Sequence, residues 1–130
     1  MTSNRKSFNI PGLDHGDNPI PMASRVGPVF RTSGVMGKDP LTGGFPDDPH
    51  AEVALVFANL KSLLDAAQVA LTDVVFVEVL ISDPALRSRV NEHWVEWFPD
   101  PESRPARHTS VREMPHGMRC QLVVEAYSLA

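Results

Sequence analysis

The pattern of apolar and polar positions predicts a helix that begins after residue 48. Apolar residues recur every three or four positions from 53 to 67, which is typical of a helix with one face on a sheet. Asp48 followed by Pro49 favours a helix start, because the carboxylate accepts from free backbone N–H groups and proline suits the first helical position. The apolar stripe contains Val53, Val56, Phe57, Leu60, Leu63, Leu64 and Ala67, with Glu52, Asn59, Lys61 and Asp65 mostly off it.

A second helix and a central strand follow from the same kind of pattern. Residues 73–82 are β-branched and apolar apart from Glu78, which predicts a central strand covered on both faces. Asp83 and Pro84 repeat the helix-start signal, and the helix that they begin ends near Pro99. Its apolar face contains Leu86, Val90, Trp94, Trp97 and Phe98.

The complete order of predicted elements is β-β-α-β-α-β-β. Two strands, or one long bent strand, occupy residues 25–37, and the last two strands occupy 106–113 and 119–127. This order predicts an α+β fold in one domain over residues 1–130, with both helices on one face of a mixed sheet. The second face then needs a cover, and self-association is the simplest source of it.

Composition and charge exclude several classes of protein. The formal net charge is −4 with acids and bases interspersed, which argues against a nucleic-acid partner. The polar N-terminus and short apolar runs predict neither a signal peptide nor a membrane span, so we expect a cytoplasmic protein. A lone Cys120 cannot form an intramolecular disulfide. No histidine pair has zinc-site spacing with a third ligand, so we expect neither a metal nor a cofactor.

Four separated segments carry a recognisable pattern: VGPVFRTSGVMGKDPLTGGFPDD, VFANLKSLLDAAQVALTDVVFVEVLISD, VNEHWVEWFPD and RPARHTSVREMPHGMRCQLVVEA. In their order and spacing they resemble the YjgF family, also called the Rid (reactive intermediate deaminase) family, over nearly the whole chain. The resemblance implies a chorismate-mutase-like fold and a homotrimer with sites between subunits. It also implies hydrolysis of enamines and imines formed from amino acids, which releases ammonia and a 2-keto acid.

Arg107 matches the family arginine that holds the substrate carboxylate. A guanidinium suits this role because it presents two parallel donors and keeps its charge. The alternative is an interface ion pair. Arg104, three residues earlier in an extended segment, points to the other side, and we interpret it as solvated or ion-paired.

Gln121 stands where family deaminases have a glutamate that works with the attacking water. A two-residue shift would instead place Val123 there and align Glu125 with a later family glutamate. In either alignment the carboxylate is missing, and an amide orients water without exchanging a proton near neutrality. Ile20 replaces the usual tyrosine of the N-terminal loop, which predicts a more apolar pocket.

Histidine is what this chain adds to the family pattern. His15 lies on a glycine-flanked loop and is a candidate to supply the proton transfer that an amide cannot. His108 directly follows Arg107, and strand alternation predicts that it points to the other face in a structural role. We interpret His50, His93 and His116 as surface residues.

Four further positions match the family cleft. Ser33 and Gly34 correspond to the strand end that lines it, and a glycine lets backbone approach a ligand closely. Asn91 matches an asparagine of the second helix, retained for a hydrogen bond to a neighbouring strand or subunit. Thr109 matches the position whose backbone carbonyl helps to place the water.

The sequence therefore supports a leading hypothesis and two alternatives. The first is a RidA-like hydrolase with Arg107 as the carboxylate clamp and Gln121 placing water. The second is a catabolic enzyme on the same scaffold that acts on a larger, aminomuconate-like acid. The third is a non-catalytic trimer that binds small carboxylates or partner proteins. Ribonuclease activity ranks last, because the sequence has neither a basic surface nor a catalytic histidine pair.

Overall fold

The computed structural model describes residues 4–129, which form a seven-stranded mixed sheet and two α-helices. The strands are β1 (Arg5–Phe8), β2 (Ala23–Val26), β3 (Val29–Thr32), β4 (Val35–Met36), β5 (Val74–Ile81), β6 (Ala106–Val111) and β7 (Cys120–Tyr127); the helices are α1 (Pro49–Ala66) and α2 (Arg87–Trp97). Within residues 4–129, neither helix is long and apolar enough to cross a membrane.

The sheet has the order β1-β2-β3-β7-β5-β6, and β4 pairs separately with β7. The pair β5 and β6 is parallel and the other pairs are antiparallel. The predicted α+β fold with a mixed sheet is confirmed, but four strands precede α1 where two were predicted. β1 was missed because its sequence, RKSF, lacks an apolar run, so only pairing with β2 defines it.

Both helix starts follow the predicted signals. Asp48 accepts a hydrogen bond from the backbone N–H of His50 at 3.0 Å, and α1 begins at Pro49. Asp83 accepts from the backbone N–H of Ala85 at 2.8 Å, although a 3₁₀ turn (Pro84–Leu86) precedes α2. Each aspartate satisfies a donor that the first helical turn leaves free.

The core lies between the sheet and the helices and contains the whole predicted stripe of α1. Two polar residues predicted mostly off that stripe are buried as well, Glu52 at 0% and Asn59 at 3% exposure. Asn59 Nδ2 donates to the backbone carbonyls of Met36 and Lys38, both at 2.8 Å. These two hydrogen bonds fix the end of β4 to α1. They are contacts between residues distant in sequence, which helical periodicity does not predict.

Glu52 joins the start of α1 to the start of β7 through Arg119. Its carboxylate accepts from the backbone N–H of Arg119 at 2.8 Å and from the Nε at 2.7 Å. The same guanidinium donates to the carbonyls of Asp47, at 2.8 Å, and Pro46. Burial, and after it the Glu52 charge, raises the pKa of the neighbouring Cys120 to about 12. The thiol is therefore protonated at physiological pH.

The face of the sheet opposite the helices, called here the open face, is only half covered within one chain. Val75 of β5, next to this face, is 51% exposed. The prediction that β5 is covered on both faces is therefore not met by a single chain. The open face presents Phe76, Glu78 and Leu80 from β5, Ala106, His108 and Ser110 from β6, and Gln121, Val123 and Glu125 from β7.

Replacing Arg119 with methionine is expected to lower the free energy of unfolding by about 3 kcal/mol, because it leaves the buried Glu52 carboxylate without its cation. The matched control is Lys61→Met, which removes an exposed helical pair with Asp65 and should cost at most about 0.5 kcal/mol. Urea unfolding at one protein concentration measures both. Equal losses in the two variants would contradict the assignment.

Candidate functional site

Arg107 lies on the edge strand β6 and points toward α2. It is in register with Val77, a core residue of β5. Its Nη1 donates to Asn91 Oδ1 at 2.7 Å and its Nε donates to Thr109 Oγ1 at 3.0 Å. The guanidinium carbon lies 5.2 Å from the ring centroid of Trp94, in a cation–π arrangement. Three side chains therefore fix the orientation of one arginine.

Arg107 carries a charge that has no ion-pair partner in the part of the chain that the structure describes. No aspartate or glutamate between residues 4 and 129 forms an ion pair with it. Burial, and after it the charge of Arg87, lowers the pKa of the Arg107 guanidinium. An oriented, half-buried cation beside a second cation favours an anionic ligand.

Gln121 and Gly34 form a second cluster, on the open face. Gln121 lies on β7 in register with Met36 and Leu80. Its Nε2 donates weakly to Met118 Sδ at 3.3 Å. A Cβ on Gly34 would lie 2.6 Å from Gln121 Oε1, so the missing side chain at 34 makes room for this amide. Gly34 therefore lies directly beside Gln121.

The two clusters lie on opposite faces of the sheet. Arg107 shares its face with the core residues Val77 and Val124, while Gln121 alternates to the open face. Val123 also lies on the open face. The residue that replaces the family glutamate therefore lies on this face in either of the two alignments. A site that contains both Arg107 and Gln121 therefore requires two copies of the chain.

Ile20 lies in the loop between β1 and β2, and Ser33, directly after β3, contacts that loop. Ser33 Oγ donates to the Pro21 carbonyl at 2.8 Å, and its N–H donates to the Met22 carbonyl at 2.8 Å. The Ser33 side chain thus holds the loop. Ile20, which stands where the resemblance gives other family members a tyrosine, is 48% exposed and presents an apolar surface.

His15 lies on the same loop, between the charges of Asp14 and Lys38. Its Nε2 is buried and has no hydrogen-bond partner among the residues described. Burial, and after it the charge of Lys38, lowers the pKa of His15 from 6.5, while Asp14 opposes this change. A neutral imidazole is therefore the favoured form in the folded chain.

The other predicted orientations can be compared directly with the structure. His108 is in register with Glu78 on the open face, opposite Arg107, as alternation predicted. Arg104 was interpreted as solvated or ion-paired, but its Nε donates to the Phe98 carbonyl at 2.8 Å. It therefore satisfies the carboxyl end of α2. His93 stacks on Phe57 with ring centroids 4.9 Å apart, so it is a packing residue.

A groove of about 650 Å³ lies away from both clusters. Trp97, Arg104 and Tyr127 are among its lining residues, and Arg107 and Gln121 are not. Within residues 4–129, no three His, Cys, Asp or Glu side chains are arranged to hold a metal ion. The candidate site is therefore defined by its donors and not by the size of a cavity.

Comparison with known proteins agrees with this architecture. The family model described as endoribonuclease L-PSP matches residues 20–128. The chain belongs to the YjgF/Rid family. A RutC family protein of Pyrococcus abyssi is 32% identical over 111 residues, which cover 84% of this chain and 86% of that protein.

Solved structures of the YjgF/Rid family have the same fold. RidA from an Antarctic Psychrobacter is 27% identical and aligns with a TM-score of 0.83, over 94% of this chain and 98% of its own. The E. coli YjgF product, 22% identical, aligns with a TM-score of 0.82 over the same shares. The chorismate-mutase-like fold predicted from the resemblance is confirmed.

Two side-chain roles in this Rid chain were missed by sequence reasoning. Thr109 was expected to act through its backbone, yet its hydroxyl also accepts from Arg107. Trp94 was interpreted as packing, yet it also lies under the guanidinium. The signal was present in the spacing, because Thr109 is two positions after Arg107 on a strand and Trp94 is three after Asn91 on a helix.

His15→Gln is expected to weaken the loss of stability in acid. Because the folded pKa is lowered, the unfolded chain takes up a proton first as the pH falls through 6.5, and stability decreases below that pH. Chemical unfolding at about pH 7.5 and about pH 5.5 measures the difference for each protein. The variant should show a smaller difference than the wild type; an identical pH dependence would refute a depressed His15 pKa.

Proposed function

We propose that this protein hydrolyses enamines or imines of small carboxylic acids and releases ammonia and a 2-keto acid. The observation that carries the proposal is Arg107, which is oriented by its neighbours and has no acidic partner in the described chain. The active site would lie where Arg107 of one copy meets the open face of another copy in a homotrimer.

Arg107 is suited to bind the substrate carboxylate. A guanidinium has five N–H donors in a plane, and its bonds to Asn91 and Thr109 use two of them. The remaining donors are free to bind a carboxylate in two-point fashion. Because Trp94 and the two polar partners already restrict the side chain, little conformational entropy is lost on binding.

Gln121 and Thr109 are suited to position the water. The Gln121 carboxamide can donate to one atom and accept from another, so it orients a nucleophile near the imine carbon. In the proposed cleft the Thr109 carbonyl of the copy that holds the carboxylate is a second acceptor for that water. Ser33 and Gly34 would form the wall beside Gln121. Because an imine carbon is already electrophilic, these groups accelerate hydrolysis mainly by orienting the attacking water.

Ile20 supports a second candidate on the same scaffold. Its apolar side chain, 48% exposed, favours a larger or less polar acid than a simple 2-imino acid, such as an aminomuconate-like dienoic acid. The genes beside the coding sequence would distinguish a ring-cleavage pathway from a housekeeping role. Carboxylate binding that depends on Arg107, with no turnover of any imine, would instead favour the non-catalytic trimer.

Ribonuclease activity is not part of the proposal, although the matching family model is described as an endoribonuclease. The net charge of −4 opposes binding to a phosphate backbone. The five histidines lie on five different segments: His15 on the loop before β2, His50 on α1, His93 on α2, His108 on β6 and His116 in the turn before β7. No two of them share a helix or strand, so the fold does not favour a catalytic histidine pair.

Light scattering is expected to give a particle of three chains of 14.3 kDa each. The physical reason is the open face, which one chain leaves half covered. Glu125 forms an ion pair with Arg31 on the open face, so Glu125→Lys would replace this pair with two neighbouring positive charges. The variant should therefore self-associate more weakly. A particle of one chain at all concentrations would contradict the proposed site.

Arg107→Met is expected to lower kcat/KM for a freshly generated 2-imino acid by about 10- to 100-fold, mainly through KM. This corresponds to about 1.5–3 kcal/mol for charge-assisted hydrogen bonds. The matched control is Arg112→Met, since Arg112 is an exposed arginine at the end of the same strand region. Release of the keto acid is followed with both variants. Equal rates for wild type and Arg107→Met would overturn the proposal.

A further inference from the structure

Hydrolysis of an imine needs a group that moves protons, and Gln121 does not supply one. The attacking water must lose a proton, and the departing nitrogen must gain one. An amide neither accepts nor releases a proton near neutral pH. A different residue must carry out this transfer, and its identification rests on the proposed function.

Four charged or titratable side chains share the central part of the open face with Gln121. Two of them, Arg31 and Glu125, form an ion pair of 3.8 Å. The other two, Glu78 and His108, form no hydrogen bond or ion pair within residues 4–129. A half-buried carboxylate and an exposed imidazole are thus available on the face that holds the water-positioning amide.

The strand register places Glu78 next to Gln121. Glu78 is in register with Val123 on β7, and Gln121 is the next residue of β7 that points to the same face. Diagonal neighbours of this kind lie about 7–8 Å apart, a gap that one water and a glutamate side chain can span. His108 lies one strand farther, at about 10 Å laterally from β7, so it does not reach that water directly.

The neighbours of Glu78 suit a proton-transfer carboxylate. Phe76 and Leu80 lie on either side of it along β5, and Val123 lies across from it on β7. These apolar groups keep bulk water from the carboxylate when a second copy covers the face. His108 is in register with Glu78 on the neighbouring strand β6. The Arg31–Glu125 pair lies on the same face, and Arg5 of β1 lies beyond it toward the sheet edge.

We propose that Glu78 is the proton-transfer residue of the hydrolase and takes the place of the carboxylate that residue 121 lacks. Glu78 accepts a proton from the water as the water oxygen bonds to the imine carbon and the C=N π electrons move to nitrogen. It returns that proton to the nitrogen of the carbinolamine. Glu78 then moves the hydroxyl proton to the same nitrogen as the C=O forms and the C–N bond breaks. The nitrogen leaves with the bonding electron pair as ammonia, and the keto acid remains.

The direct test compares Glu78→Gln with Glu125→Gln. Both variants neutralise a carboxylate on the open face at constant shape. Glu78→Gln should lower kcat by about 10²-fold or more with KM within about twofold, since the carboxylate acts in the chemical step. Glu125→Gln should leave kcat close to that of the wild type. Equal kcat values for Glu78→Gln and wild type would overturn the inference.

A rescue experiment separates proton transfer from a structural role. In the double variant Glu78→Gln/Gln121→Glu a carboxylate is restored at the neighbouring position, and kcat should recover at least tenfold over Glu78→Gln, an increase of about 1.4 kcal/mol in transition-state stabilisation. Light scattering on each variant reports assembly. If no recovery is seen while the double variant assembles like wild type, Glu78 is a packing residue and the inference fails.

Two further outcomes are distinguishable. If wild-type protein turns over no imine, the proposed function fails, whatever Glu78 does. A second outcome is an active wild type, a loss of about 10²-fold in kcat for His108→Gln and no loss for Glu78→Gln. In that case the imidazole is the proton carrier, and the inference about Glu78 fails while the proposed function stands. Loss in Glu78→Gln, recovery in the double variant and a smaller effect of His108→Gln would support it.

Discussion

Alternation of side chains along a strand is the constraint on which the rest of this structure depends. It places Arg107 against α2 and Gln121 on the opposite face of the same sheet. No rotation of either side chain brings the two together within one chain, because a full layer of backbone separates them. The proposed chemistry is thus a property of the assembly, and each copy contributes half of it.

The fold was predictable because most of its signals are local. The apolar stripe and the Asp48–Pro49 start define α1, and both are read from adjacent residues. β1 and the burial of Glu52 were not predictable in this way. β1 has a polar sequence and exists by pairing with β2, while Glu52 is buried because Arg119, distant in sequence, supplies its counter-charge. Pattern-based reasoning fails where a partner comes from a distant segment.

The candidate site was predictable in its residues and only partly in its geometry. Arg107, Asn91 and Gly34 were identified by resemblance, and the structure gives the first two a shared hydrogen bond. Gly34 accommodates Gln121, and the strand register places Gln121 on the face of the sheet opposite Arg107. Register depends on the pairing of β5 with β7, which a single sequence does not encode in any short motif.

The contact between Arg107 and Trp94 has a practical consequence. The protein contains an indole fluorophore 5.2 Å from the guanidinium to which an anion is proposed to bind. A negative charge that arrives at the guanidinium changes the electric field across the ring, and an indole reports such a change in its emission wavelength. Occupancy of the proposed subsite is therefore open to optical measurement without a label, a substrate analogue that absorbs light or a coupled enzyme.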